Sequence, residues 1–422
     1  MRISFDDIIA KLSLEDYREI LKSEWKDSEK TFPHGKLPFL RTEQIEKSAK
    51  LGNLDAETVK YLVEKAVPEI EKDSYLIRLI WHEYHLLYLS DRPLKSNAAK
   101  LPHLENLIGE FAYAFNLLLV LAGYTHAIKL HKKLGIPDDI AKDTYSDLAV
   151  WCSFYRESRK VTGLTTRILG WMQKHLSGKL FRVGRLQYVW SEFPGKIVVY
   201  RSRKTGLLQA LAEDELNFNS AGQFDGVDGI YDKKGVWTSR LECGNSLVSG
   251  NPVSPLGFAE KRKITLNLSE WEKVMSHGDK VLDIHIPAIG PMTIELCADS
   301  INRASDFFTE YLSERHFKAF SCCSWFLDMQ FEEFLSETSN VIRFQREFFL
   351  YPIPVGASES LWRIFGEGAL KSQVKDYPRN TSMQKSAAAF LEKGGHLRAG
   401  GSFYLKDDLP FGRQLYRKAA LA

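Results

Sequence analysis

A single change of rhythm constrains this chain most. Up to Gly178 its apolar residues recur with helical period, and beyond Gly178 they alternate. A helical pattern cannot settle as a strand, nor an alternating one as a helix. The switch therefore predicts an α+β protein, with an all-helical part over residues 1–178 and a mixed α/β part with a predominantly antiparallel sheet over 179–422. Length agrees, since 422 residues exceed what one hydrophobic core organises.

Within the first part, Asp55 opens a run that places Val59, Leu62, Val63 and Ala66 on one face and ends near Pro68. Ser74 is the expected cap of the next helix. Pro137, after the Gly135 stop, leads another, and a last helix runs from Thr165 to Leu176. The segment FAYAFNLLLVLAGYTHAI, from Phe111 to Ile128, is apolar enough to suggest a membrane span. Asn116, Thr125 and His126 fit better with a helix buried on all sides in a bundle, so no membrane is expected.

In the second part, KLFRVGRLQYVW reads as a strand bulged at Gly184. KIVVYRSR and GLLQAL flank a turn at Lys204-Thr205-Gly206, and GIY and VWTSRLE flank another at Asp232 to Gly235. From Val281 the order becomes strand, helix, strand. VLDIHIP is a strand, a helix capped by Thr293 follows, FKAFSCCSWFL is a second strand, and SNVIRFQREFFLYPIP reads as a long third one. Helices at Ser358–Phe365 and Thr381–Lys393 and the strand SFYLK complete the chain.

Several function classes find no support. A net charge of +3 spread over 422 residues is not the concentrated basic face of a nucleic-acid binder, and the clusters at Arg201–Lys204 and Lys261–Lys263 sit beside strands as solvated charge. Five cysteines without a C-x-x-C suggest neither disulfides nor zinc, but reduced thiols. His82 and His85 form H-E-x-H, which lacks the H-E-x-x-H register of a zinc site, so no metal is expected. Asp225, Asp228 and Asp232 miss EF-hand spacing and read as turn residues. There is no G-x-G-x-x-G and no Walker loop. The acidic N-terminus does not read as an export signal, and a soluble cytoplasmic protein is the expectation.

The stretch richest in chemistry is VLDIHIP. Alternation puts Leu282, Ile284 and Ile286 on one face and the carboxylate of Asp283 and imidazole of His285 on the other. A glycine-containing loop and a helix start follow, and a helix start offers unpaired N–H groups to an anion such as a phosphate. A base beside such a site suits transfer from a phosphate-bearing donor; a histidine in a satisfied surface network is the plainer reading. Cys322 and Cys323 are adjacent in the next strand, so at most one can share the face of His285. A cysteine nucleophile there stands against the commoner buried, inert thiol.

As an ordered set, LGIPDDIAKDTYSDL, Trp171, FRVGRLQYVW, NPVSP with Gly257, Trp271, GDKVLDIHIPAIGPMT, SINRASDFF, CCSWFLD and SNVIRFQ resemble a bacterial family of acyltransferases. That family joins a helical N-acyltransferase N-terminal domain to a GNAT-like C-terminal domain. The resemblance implies an acyl-CoA or acetyl-CoA donor, a small-molecule amine as acceptor, and room for a homodimer. VLDIHIP would be the strand that pairs with the donor's pantetheine arm, and FKAFSCCSWF the neighbour that splays from it. His285, Asp283 and Glu295 would handle protons, while Ile286, Ala288, Gly290, Thr293 and Ile294 would hold the donor. The loop Ala288-Ile289-Gly290-Pro291 departs from the usual GNAT pattern, with one glycine and a proline that lacks an N–H, and DMQFEEFLSET lacks the usual tyrosine acid. A non-catalytic ligand-binding or sensing protein on a degenerate GNAT fold is the competing expectation, and an acyl carrier at Cys322 a third.

Overall fold

The computed structural model describes residues 3–90, 94 and 98–421. The chain divides into two compact units, Met1–Gln187 with Pro287–Ile289, and Tyr188–Ile286 with Gly290–Ala422. The first is helical almost throughout, and the second carries mostly antiparallel sheet with helices. The protein is an α+β chain.

In the first unit, the 23-residue helix α1 (Phe111–Lys133) is the centre of a large apolar core. It is long and apolar enough to cross a membrane, with a mean hydropathy of 1.5 over its most apolar window, yet 72% of that window is buried inside the protein. Asn116 donates to Leu164 O at 2.9 Å within this core, so its amide is accommodated without water. Helices α2 (Asp147–Arg159) and α3 (Thr166–Leu176) follow.

Two expectations shift here. Asp73, not Ser74, caps the helix Ser74–Tyr84, because its carboxylate reaches Tyr75 N at 2.7 Å. The run from Ala56 does not stop near Pro68. It widens into a π-helical turn at Leu62–Ala66, and Pro68 then sits in the opening turn of Val67–Glu71, where its missing N–H is no loss.

The second unit is built on the sheet strands β1 (Leu186–Glu192, which begins in the first unit), β2 (Lys280–His285), β3 (Ala319–Ser324), β4 (Phe349–Pro352) and β5 (Gly400–Leu405), in the spatial order β1-β2-β3-β5-β4. β2 and β3 are parallel, while β5 lies between β3 and β4 and is antiparallel to both. Between β2 and β3 runs helix α4 (Ile294–Tyr311), capped by Thr293, whose hydroxyl accepts from Leu296 N at 3.4 Å. A second, antiparallel sheet includes Ile197–Ser202 paired with Leu208–Ala212, joined by the turn at Thr205-Gly206.

Three local expectations fail for physical reasons. Gly184 is not a bulge: with φ +64 it opens a two-residue turn between the strands Leu180–Val183 and Leu186–Glu192. GIY forms no strand, since Val227–Gly229 is a 3₁₀ turn, and Trp237–Thr238 pairs instead with Asn217–Phe218. SNVIRFQREFFLYPIP is not one strand. Ser339 caps Ile342 N at 3.3 Å and starts helix α5 (Asn340–Gln345), and only Phe349–Pro352 is extended. Ile342 and Gln345, three apart, are buried, and the Gln345 amide is held by Phe326 O and Asp328 O.

Candidate functional site

The parallel pairing of β2 with β3 is short. It runs Val281↔Ala319, Leu282↔Phe320 and Asp283↔Ser321, and ends there. β2 continues to His285 and β3 to Ser324, but Cys322, Cys323 and Ser324 pair only with β5, opposite Ser402, Gly401 and Gly400. The two strands therefore part just where the polar residues of VLDIHIP begin, as the resemblance implied for FKAFSCCSWF.

Alternation works as read from the sequence. Leu282 and Ile284 are at most 2% exposed, while Asp283 and His285 stand on the other face with 31% and 33% of their side chains accessible. The structure brings these two together: His285 Nε2 lies 3.1 Å from Asp283 Oδ2. A carboxylate against one ring nitrogen fixes the orientation of an imidazole.

The in-register pair Asp283↔Ser321 also decides between the two cysteines. Residues paired in register share a face, so Cys323, two beyond Ser321, lies on the side of Asp283 and His285. Cys322 points the other way, is 1% exposed, and burial pushes its thiol well above the ordinary range. A carrier or nucleophile at Cys322 is thereby corrected: it is a small core residue.

Past β2, Ile286 is half-buried, Ala288 lies exposed in the short segment grouped with the first unit, and Gly290 takes the left-handed conformation at φ +46. Thr293 and Ile294 form the start of α4. Glu295 stands in the first turn of that helix, 69% exposed, 3.1 Å from Arg343 Nη2. Its own backbone N–H, the Thr293 hydroxyl and Arg343 hold its carboxyl below the usual range. It is placed to complement the helix start and is a weak base, and it pairs with Arg343.

Sequence reading missed Tyr351. Fully buried on β4, it brings its hydroxyl to 3.6 Å from Cys323 Sγ. It supplies a phenol on the polar face that DMQFEEFLSET does not, and only the cross-strand register reveals it.

Outside this face, the H-E-x-H residues are structural. His82 donates to Leu21 O at 2.7 Å and burial lowers its pKa to about 4, while His85 lies 3.4 Å from Glu24. Asp232 is the turn residue expected, accepting from Lys234 N, Gly235 N and Ser220 N. Among the described residues no group of three or more His, Cys, Asp or Glu side chains is arranged to hold a metal ion, and none of the five cysteines forms a disulfide.

Residues 180–404, more than half of the chain, match the family model of the GNAT-like C-terminal domain, and residues 48–178 match that of the N-acyltransferase N-terminal domain. No curated protein matches significantly. Among solved structures, the chain is similar to an acyltransferase mutant in complex with octanoyl-CoA and to an acyltransferase in complex with CoA and 10C-teicoplanin. Each has a TM-score of 0.64 and 20% identity, with 95% of this chain and 98% of that one covered. An acyltransferase in complex with decanoyl-CoA aligns with a TM-score of 0.61 and 18% identity over 94% of this chain and 98% of its own. At that identity the likeness establishes the shared fold. The chain therefore belongs to the family of the GNAT-like C-terminal domain, here preceded by an N-acyltransferase N-terminal domain.

Proposed function

We propose that this protein transfers an acyl group from an acyl-CoA to an amine of a small molecule. The observation that carries the reading is the Asp283–His285 pair on the strand edge where β2 and β3 part. Beyond Asp283 the β2 backbone no longer pairs with β3, so its amide groups on that edge can bind an extended, amide-containing arm in place of a strand. The N–H groups at the start of α4, from Thr293 to Leu296, suit the donor's pyrophosphate. His285, oriented by Asp283, takes the proton from the acceptor amine as nitrogen attacks the thioester carbonyl. The tetrahedral adduct then collapses to the amide and the CoA thiolate, which takes up a proton. The solved acyltransferases of the same fold that hold octanoyl-CoA, decanoyl-CoA or CoA with 10C-teicoplanin support a medium-chain donor and a non-protein acceptor.

Thermal unfolding with acetyl-, octanoyl- and decanoyl-CoA tests the donor, since a ligand bound only by the folded state raises Tm. No shift with any ester at millimolar concentration would overturn the proposal. The Pro291 ring, which removes one N–H from the loop before α4, favours the rival reading of a binding or sensing protein. His285→Ala separates the two. In an enzyme it lowers turnover by about 10²–10⁴-fold while the Tm shift with the ester survives; in a sensor no turnover exists to lose.

A further inference from the structure

On the polar face beside the Asp283–His285 pair, three residues line up across three strands. Gly401 of β5 is paired with Cys323 of β3 on one side and Tyr351 of β4 on the other. A Cβ on Gly401 would meet Tyr351 Cε2 at 2.3 Å and Cζ at 2.4 Å, so the phenol ring lies directly on the bare glycine backbone. That bridging places the hydroxyl against Cys323 Sγ. The ring is fixed from its other side by Phe193, edge-on at 5.4 Å between centroids.

Cys323 differs from its neighbours in being exposed, although surrounding protein pushes its thiol up to about 12. The thiol stands beside the Tyr351 hydroxyl on a part of β3 that solvent reaches. A thiol so strongly held in its neutral form is a poor nucleophile. What it offers a ligand is a small, apolar surface of fixed position.

We propose that Cys323, backed by Tyr351 lying across Gly401, is the wall that sets how long an acyl chain the protein accepts. The proposal rests on the acyl-CoA reading above. Cys323 is the first side chain on this face of β3 beyond the last residue paired with β2. A thioester carbonyl brought to His285 directs its substituent into the opening between the two strands, toward that side chain. Because the ring behind Cys323 has no room to retreat, added volume at 323 must be taken from the ligand.

Dissociation constants for acetyl-, octanoyl- and decanoyl-CoA, measured by calorimetry on the full-length wild-type, Cys323→Val and Cys323→Leu proteins, test it. The expected result is a graded loss of decanoyl-CoA affinity relative to acetyl-CoA, with that ratio falling at least about tenfold in Cys323→Leu and less in Cys323→Val. Val suits a strand, so the trend remains measurable if the larger residue disturbs folding. An unchanged ratio in both variants, with wild-type binding intact, overturns the gauge and leaves the acyl-CoA reading standing. Failure of the wild type to bind any of the three esters overturns that reading, and the gauge with it.

Discussion

Glu83 lies 1% exposed in the helical unit, and its Oε1 has no hydrogen-bond partner among the described residues. Burial holds its carboxyl well above the ordinary value of 4.5. The folded state therefore keeps a proton that the unfolded chain releases, so this residue costs nothing below pH 4.5 and progressively destabilises the fold as pH rises above it. Glu83→Gln removes that slope. Urea unfolding is expected to show the variant gaining on wild type between pH 4 and pH 8; a difference that does not change with pH would refute this. The functional residues show what is legible at the same scale. That Asp283 and His285 share a face follows from alternation within one strand, and the structure agrees. Which cysteine joins them depends on the register between β2 and β3, and Tyr351 reaches that face only across Gly401. Such contacts join segments far apart in sequence, and no local pattern encodes them.

At the scale of elements, the Thr293 cap and the hairpin at Thr205-Gly206 were readable, while the Asp73 cap, the Gly184 turn and the partner of Trp237–Thr238 were not. Thr293 and Thr381 cap their helices as their side chains allow. SNVIRFQ has the β-branched residues of a strand, but the Ser339 cap and the burial of Ile342 and Gln345 settle it as a helix, so tertiary burial overrides propensity. A buried polar contact joins α2 to α3 in the same way. Asp147, 3% exposed, accepts from Trp151 Nε1 at 3.1 Å and Trp171 Nε1 at 3.0 Å, and stands 3.2 Å from His175 Nε2. Burial alone would raise its carboxyl, but His175, Trp171 and Gln187 outweigh burial and lower it. Truncating Asp147 to Ala strands these donors in the core and is expected to cost about 3–5 kcal/mol in denaturant unfolding. Asp147→Asn, which keeps an acceptor, should cost clearly less. Equal losses would show that shape and not hydrogen bonding holds the two helices.

For the whole molecule, the change of rhythm at Gly178 announced two folding patterns, and the compact units divide a few residues later, at Gln187. Each has its own apolar clusters, a large one among the helices and smaller ones in the sheet unit. The proposed chemistry uses only a small part of this material: the end of β2, the start of α4 and the face that Cys323, Gly401 and Tyr351 share across β3, β5 and β4. Amide hydrogen exchange can test that economy over the entire chain. A saturating medium-chain acyl-CoA is expected to slow exchange at Ile284–Ile286, where β2 has lost its β3 partner, and at Thr293–Leu296, where the first N–H groups of α4 lack helical acceptors. Exchange in the helix Thr42–Leu51 of the first unit should stay unchanged, because it contributes no group to the proposed donor site. Protection of Thr42–Leu51 with none at Ile284–Ile286 would move the donor site to the helical unit and leave the Asp283–His285 pair without a substrate to act on.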